Sequence, residues 1–324
     1  MSSKQIQFYP FYDPLCEDGA LRYPSKIGIS VGFGVFYLIL QYVSLPDKMV
    51  FFQQYCWILG VIISTSYLAL YIATDVFRRS LVTINEFAGD ARMSDQFVET
   101  WLSNKCYLLS GMVWAAANTS FGHLMGVPAE FHESVFALTS IYIGFIMAGF
   151  SAGMGLWGIF AIIVLYLKFA PSLQHTLDPS DPDGTGGIKK LGDSLWFFAM
   201  LTFTIGVLIS IYMFGVQWEF MYKAYVRAIF LVWLAMPYLV AISIVLIPGL
   251  AVRRQVNQYK SYKSDQLKQQ KARAYSSYKE FHEADDDEII TAKKELNDKL
   301  IHIQEQMDKL RTMRDSHIDS KNKD

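Results

Sequence analysis

Long apolar runs separated by short polar links fill the first three quarters of the chain. A helix needs about 20 mainly apolar residues to cross about 30 Å of hydrocarbon. Six segments satisfy that length and predict spans at 27–45, 50–73, 106–127, 138–165, 194–216 and 228–247. The tight link around Pro46, Asp47 and Lys48 makes the first two an antiparallel hairpin, and the second stops before Asp75, Arg78 and Arg79. The third is the weakest, since it holds Asn118, Thr119, Ser120 and His123. The run 134–170 is too long for one ordinary span; as a single helix it measures about 55 Å. It reads as one span that outruns the membrane, or as two that break in the small-residue stretch 148–158.

Residues 78–104 mix Leu81, Ile84, Phe87, Phe97 and Trp101 with Glu86, Asp90, Arg92, Asp95 and Glu99. The charges exclude a span, and the spacing predicts a surface amphipathic helix. Turn signals crowd 173–193, and Pro248-Gly249 marks the end of the last span. Arg78, Arg79, Lys168, Lys189, Lys190, Arg253 and Arg254 share one side if both termini are cytoplasmic, as the positive-inside rule favours. The expected organisation is a cytoplasmic segment 1–26, a membrane domain 27–248 and a cytoplasmic helical tail 249–324. The fold class is all-α, a polytopic membrane helical bundle.

The tail opens with a basic run that interleaves aromatics: Arg253, Arg254, Tyr259, Lys260, Tyr262 and Lys263. That combination suits anionic lipid headgroups next to a span. It also suits a nucleotide or oligonucleotide held by stacking and phosphate contacts. An acidic stretch, 280–288, follows. Then Leu296, Leu300, Ile303, Met307 and Leu310 alternate gaps of four and three, the spacing of a coiled-coil seam. The seam predicts self-association once the spans have brought copies together.

Composition sharpens the class. The 324 residues are 52% hydrophobic and 18% charged, and about half of the charges follow Pro248. Soluble chains carry about 25% charged residues. An ordinary soluble enzyme and a disordered chain are both excluded. Cys16, Cys56 and Cys106 are scattered and odd in number, so neither a disulfide framework nor a zinc site is expected, and no cofactor is implied. Residues 1–26 lack the apolar core of a cleavable signal peptide.

Gly149, Ser151 and Gly153 match the G-x-S-x-G nucleophile elbow, but that motif needs a strand-to-helix turn, whereas this one lies in an apolar run. Small-residue helix packing is the better reading, and no enzyme is expected. His132-Glu133 lacks the second histidine of a zincin. The 178–184 stretch fails the calcium-loop pattern at its first and last positions.

Polar groups inside a span line a cavity or pore, or else bond between helices. Asn118, Thr119 and His123 are therefore pore-lining candidates. Glu130 and Glu133, on the outer side, would repeat as carboxylate rings in a symmetric oligomer and favour cations.

The loop from Asp178 to Gly192, with Asp181, Pro182, Asp183, Gly184, Gly186 and Gly187 in order, resembles the Asp/His-Pro-Asp-Gly-x-Gly-Gly loop of bacterial multi-pass membrane proteins. The layout of spans plus helical tail also resembles the membrane effectors of bacterial anti-phage systems, such as the Hailong membrane effector. That resemblance implies a ligand-controlled channel in the bacterial inner membrane. The expected function is an oligomeric pore gated by a cytoplasmic ligand or partner. The alternative is a non-conducting scaffold or sensor whose tail recruits a soluble protein. The expected partners are the lipid bilayer, further copies of the chain and a cytoplasmic ligand.

Overall fold

The computed structural model describes residues 10–13, 22–88, 91–171, 177, 189–216, 224–280 and 287–313, and their side chains except at 22, 85–95, 190–191 and 278–293. Every regular element among them is an α-helix. In chain order these are α1 Arg22–Ser44, α2 Lys48–Gln53, α3 Cys56–Ala88, α4 Ala91–Trp101, α5 Asn104–Leu124, α6 Val127–Glu130, α7 Val135–Phe169, α8 Lys189–Gly215, α9 Ala224–Glu280 and α10 Asp287–Thr312. Five of them (α1, α3, α7, α8 and α9) are long and apolar enough to cross a membrane. The 21-residue α5 has the length but is not among the five.

Burial on α1 runs opposite to that of a water-soluble helix. Lys26, Ser30, Tyr37 and Gln41 are at most 1% exposed, one or two turns apart along the inner face. Ile27, Val31, Val35, Ile39 and Val43 face outward. Hydrocarbon surroundings demand this arrangement: apolar groups meet lipid at no cost, while polar groups must find partners inside. Gln41 and Ser44 find one across the bundle in Ser140 of α7, the two hydroxyls lying 2.7 Å apart.

The main core joins Tyr37 of α1, Ile63 of α3, Ile141 of α7, Tyr212 of α8 and Phe230 of α9. Gly34 sets the approach of α1 to α3. A Cβ there would lie 1.9 Å from Ser64 Oγ and 2.5 Å from the Gly60 carbonyl oxygen. Gly149 does the same for α7 on α5, at 2.8 Å from both the Ala115 Cα and the Trp114 carbonyl oxygen.

The chain divides into two compact units: Met1–Leu165 with Ser194–Leu246, and Tyr166–Asp193 with Ile247–Asp324. The first holds the bundle. The second is built on α9 and α10, which pair antiparallel: Lys271 Nζ donates to Gln304 Oε1 at 2.9 Å, and Lys260 Nζ donates to the Met313 carbonyl oxygen.

Several expected boundaries are corrected. The run 50–73 is not one helix. It breaks at Tyr55, which adopts a left-handed φ of 52°, and α2 ends there. α3 then passes Ala73 and continues to Ala88, with Asp75 buried and Arg78 half-buried in ion pairs. The expected 78–104 helix is divided between the end of α3 and α4, with Leu81 and Ile84 buried. The third run ends at Leu124, since Gly126 turns the chain with a φ of 100°. α7 is unbroken through 148–158. At Pro248-Gly249, expected as the end of the last span, α9 continues as helix. Lys26, expected as the last residue of the N-terminal segment, lies within α1 and is buried.

Candidate functional site

Four charges meet at one end of the bundle. Lys26 Nζ lies 3.1 Å from Asp13 Oδ2 and 3.0 Å from each Asp75 oxygen. Arg78 bonds the same two acids, at 3.0 Å to Asp75 Oδ1 and 3.1 Å to Asp13 Oδ2. The side chains of Lys26, Asp13 and Asp75 are at most 4% exposed. Among the described residues, two cations face two anions, and that pairing offsets the cost of burying them. Residues 10–13 are held there by more than charge. The Tyr12 hydroxyl and Thr74 Oγ1 are 3.0 Å apart, Tyr12 packs edge-on against Tyr107, and the Phe11 N–H donates to Asn104 Oδ1 at 3.1 Å. Burial pushes the Tyr12 phenol above its ordinary range. The segment thus ties the start of α5 to α1 and α3.

A cavity of about 190 Å³, partly open to its surroundings, lies between α3, α5, α7, α8 and α9. Among the described residues that line it there is no Asp, Glu, Lys, Arg or His. Its hydroxyl and amide side chains are Ser66, Asn118, Ser151, Thr202 and Tyr212. Trp233 stacks on Phe121 at 4.8 Å between ring centres and touches Trp114 at 5.6 Å.

The pore-lining candidates do not converge on this space. Asn118 lines it, with Nδ2 donating to the Phe145 carbonyl oxygen at 2.8 Å. The Thr119 hydroxyl bonds back to the Ala115 carbonyl oxygen at 2.7 Å, as span hydroxyls do. His123 is exposed, with Nδ1 2.9 Å from the Tyr142 hydroxyl. Glu130 accepts from Gln54 Nε2 at 3.0 Å, and Glu133 is exposed. α5 therefore turns Leu109, Met112, Ala116, Ser120 and His123 outward in a stripe at helical spacing.

The G-x-S-x-G match has the geometry of helix packing. Ser151 lies inside α7, its hydroxyl bonded to the Ala148 carbonyl oxygen at 2.9 Å. Gly149 and Gly153 press on the α5 backbone.

In the tail the basic-aromatic run divides between two faces. Arg253, Arg254, Asn257 and Ser261 share an exposed face of α9 with Leu250, and Tyr262 is also exposed. Tyr259 and Lys260 turn toward α10 instead, and Lys263 is half-buried. The heptad seam is used within the chain. Ile303 and Leu310 are buried against Leu267 of α9, with Met307 packed beside them, while Leu296 and Leu300 are half-buried. Within one chain, α9 thus supplies an apolar surface to the seam. The 178–188 part of the turn-rich loop, the link 217–223 and residues 281–286 of the acidic stretch lie outside the described residues.

Sequence reasoning missed the four-charge group. Lys26 and Asp75 read as markers of span ends, although opposite charges at the same end of two antiparallel helices could have suggested the pair. Asp13 gives no such signal. Compared with known proteins, the chain matches no family model, no curated sequence and no solved structure.

Proposed function

We propose that the chain is a six-span protein of the bacterial inner membrane, with both termini cytoplasmic, that assembles with copies of itself into a cytoplasmically gated channel. The observation that carries the reading is the outer stripe of α5. This helix is too polar to be counted among the apolar spans, yet it leaves Ser120 exposed on its outer face, with His123 exposed beside it and bonded to Tyr142 of α7. Polar side chains at membrane depth need water or protein around them. Packed around an axis, copies of α5 would give those groups a wet lumen. The cavity is a poor ion route, because a dehydrated ion would find no charge among the described residues that line it. The exposed Glu133, at the start of α7, would form a carboxylate ring at the mouth and favour cations.

Gating follows from the chain's own continuity. α9 contributes to both compact units as one helix, so the last span and the tail share a backbone. A ligand on the tail would move the gate only through a difference in affinity between closed and open states. An anti-phage effector role extends the same proposal: a triggered channel would collapse the host membrane potential.

The test is ion flux through liposomes holding the purified protein, with and without the tail after Pro248. Flux that changes on truncation supports a gated channel. Absence of flux in both forms, across ions, voltages and added cell extract, counts against it.

The scaffold reading has one observation in its favour, the exposed face of α9 bearing Arg253 and Arg254. A full chain that shows no flux yet captures a soluble partner, and loses it on Arg253→Glu with Arg254→Glu, would establish that reading in place of the channel.

A further inference from the structure

We propose that the cavity between α3, α5, α7, α8 and α9 is a binding site for a neutral, ring-sized apolar molecule carrying one hydroxyl or carbonyl group. This goes beyond the channel reading and does not depend on it.

Shape gives the size. The cavity measures about 190 Å³. A cavity of about 150 Å³ with apolar walls stays dry and takes benzene. The space exists because small residues stand where large ones would close it: Ala69 and Ala73 on α3, Ala152 and Gly155 on α7. Gly155 is the clearest case. A Cβ built there meets nothing within 4 Å, whereas at Gly149 and Gly153 on the same helix it would collide with the α5 backbone. Gly149 and Gly153 are thus accounted for by helix packing, and Gly155 is not.

Chemistry gives the class. With no acidic or basic side chain among the described residues of the wall, a charged molecule would lose its hydration without compensation. The stacked Phe121 and Trp233 rings offer an aromatic surface. Two polar groups are uncommitted. Ser66 is 6% exposed, lines the cavity, and its hydroxyl bonds to none of the described residues. Asn118 uses Nδ2 on the Phe145 carbonyl oxygen, and its Oδ1 accepts from none of the described residues. The Ser66 hydroxyl stands on the cavity wall without being sealed off from it, its hydrogen-bonding capacity unused among the described residues. A ligand hydroxyl or carbonyl would satisfy it.

Bromine quenching of tryptophan fluorescence tests this on the full chain in detergent, since Trp114 and Trp233 line the site. The probes are 4-bromophenol and bromobenzene. The expected result is a saturable quench by both, superimposed on linear collisional quenching. Gly155→Leu fills the space and removes the saturable part. Ser66→Ala weakens 4-bromophenol by about threefold to tenfold, the worth of one hydrogen bond, and leaves bromobenzene unchanged. A purely linear quench overturns the proposal, as does a saturable quench that Gly155→Leu leaves intact. Should Gly155→Leu fail to fold, Ser66→Ala decides alone: a selective loss of 4-bromophenol supports the site, and equal behaviour of both probes overturns it.

Discussion

Lys26 donates to both carboxylate oxygens of Asp75 at 3.0 Å, across the interface of α1 and α3, with neither side chain more than 4% exposed. Replacing buried ion partners together by apolar residues is often harmless, but removing one member leaves its buried counter-charge undercompensated, at about 3–5 kcal/mol. Lys26→Met should therefore destabilise the bundle by about that amount. Lys26→Met with Asp75→Leu should recover most of the loss, because Asp13 and Arg78 remain paired. Thermal unfolding in detergent reads both. Equal loss in the single and double variants would show that the charges are not coupled.

Helix approach at Gly34 is the next exposed point of the account. Any side chain there meets the Gly60 backbone, which cannot swing aside. Gly34→Leu should cost at least about 1–3 kcal/mol, the usual range for overpacking. Gly28→Leu, two turns nearer the start of the same helix, should cost little, since a Cβ there meets nothing within 4 Å. Comparing the two melting temperatures separates packing from helix propensity.

The tail seam discriminates between assembly within the chain and between chains. Ile303 and Leu310 pack on Leu267 of α9. Leu310→Asp should open the α9–α10 hairpin, seen as faster proteolysis near α10, while the size of the detergent-solubilised particle stays the same. A smaller particle with an intact hairpin would assign the seam to contacts between copies.

These particulars also mark what the sequence carries. The apolar runs predict α1, α7 and α8 well, because a helix of span length needs little beyond composition. The break at Tyr55 is invisible, since a left-handed tyrosine leaves no mark that glycine would leave. The extension of α3 past Ala73 is hidden for a different reason. Asp75 and Arg78 look like surface residues until Asp13 and Lys26 are brought to them from far along the chain. A heptad seam states that an apolar partner exists, not whether it lies in the same chain. At the candidate site Asn118 was legible as a polar group inside a span. The apolar wall around it was not, because it is assembled from five helices.

The channel reading stands or falls on where the α5 stripe faces. In a chain whose three cysteines are replaced, Ser120→Cys places one thiol on that stripe and Val35→Cys places one on the apolar face of α1. Ion flux through liposomes is then measured before and after a charged, water-soluble thiol reagent. The account predicts that flux through Ser120→Cys is blocked and that flux through Val35→Cys is untouched. Unblocked flux at Ser120→Cys, or equal block at both positions, would contradict it.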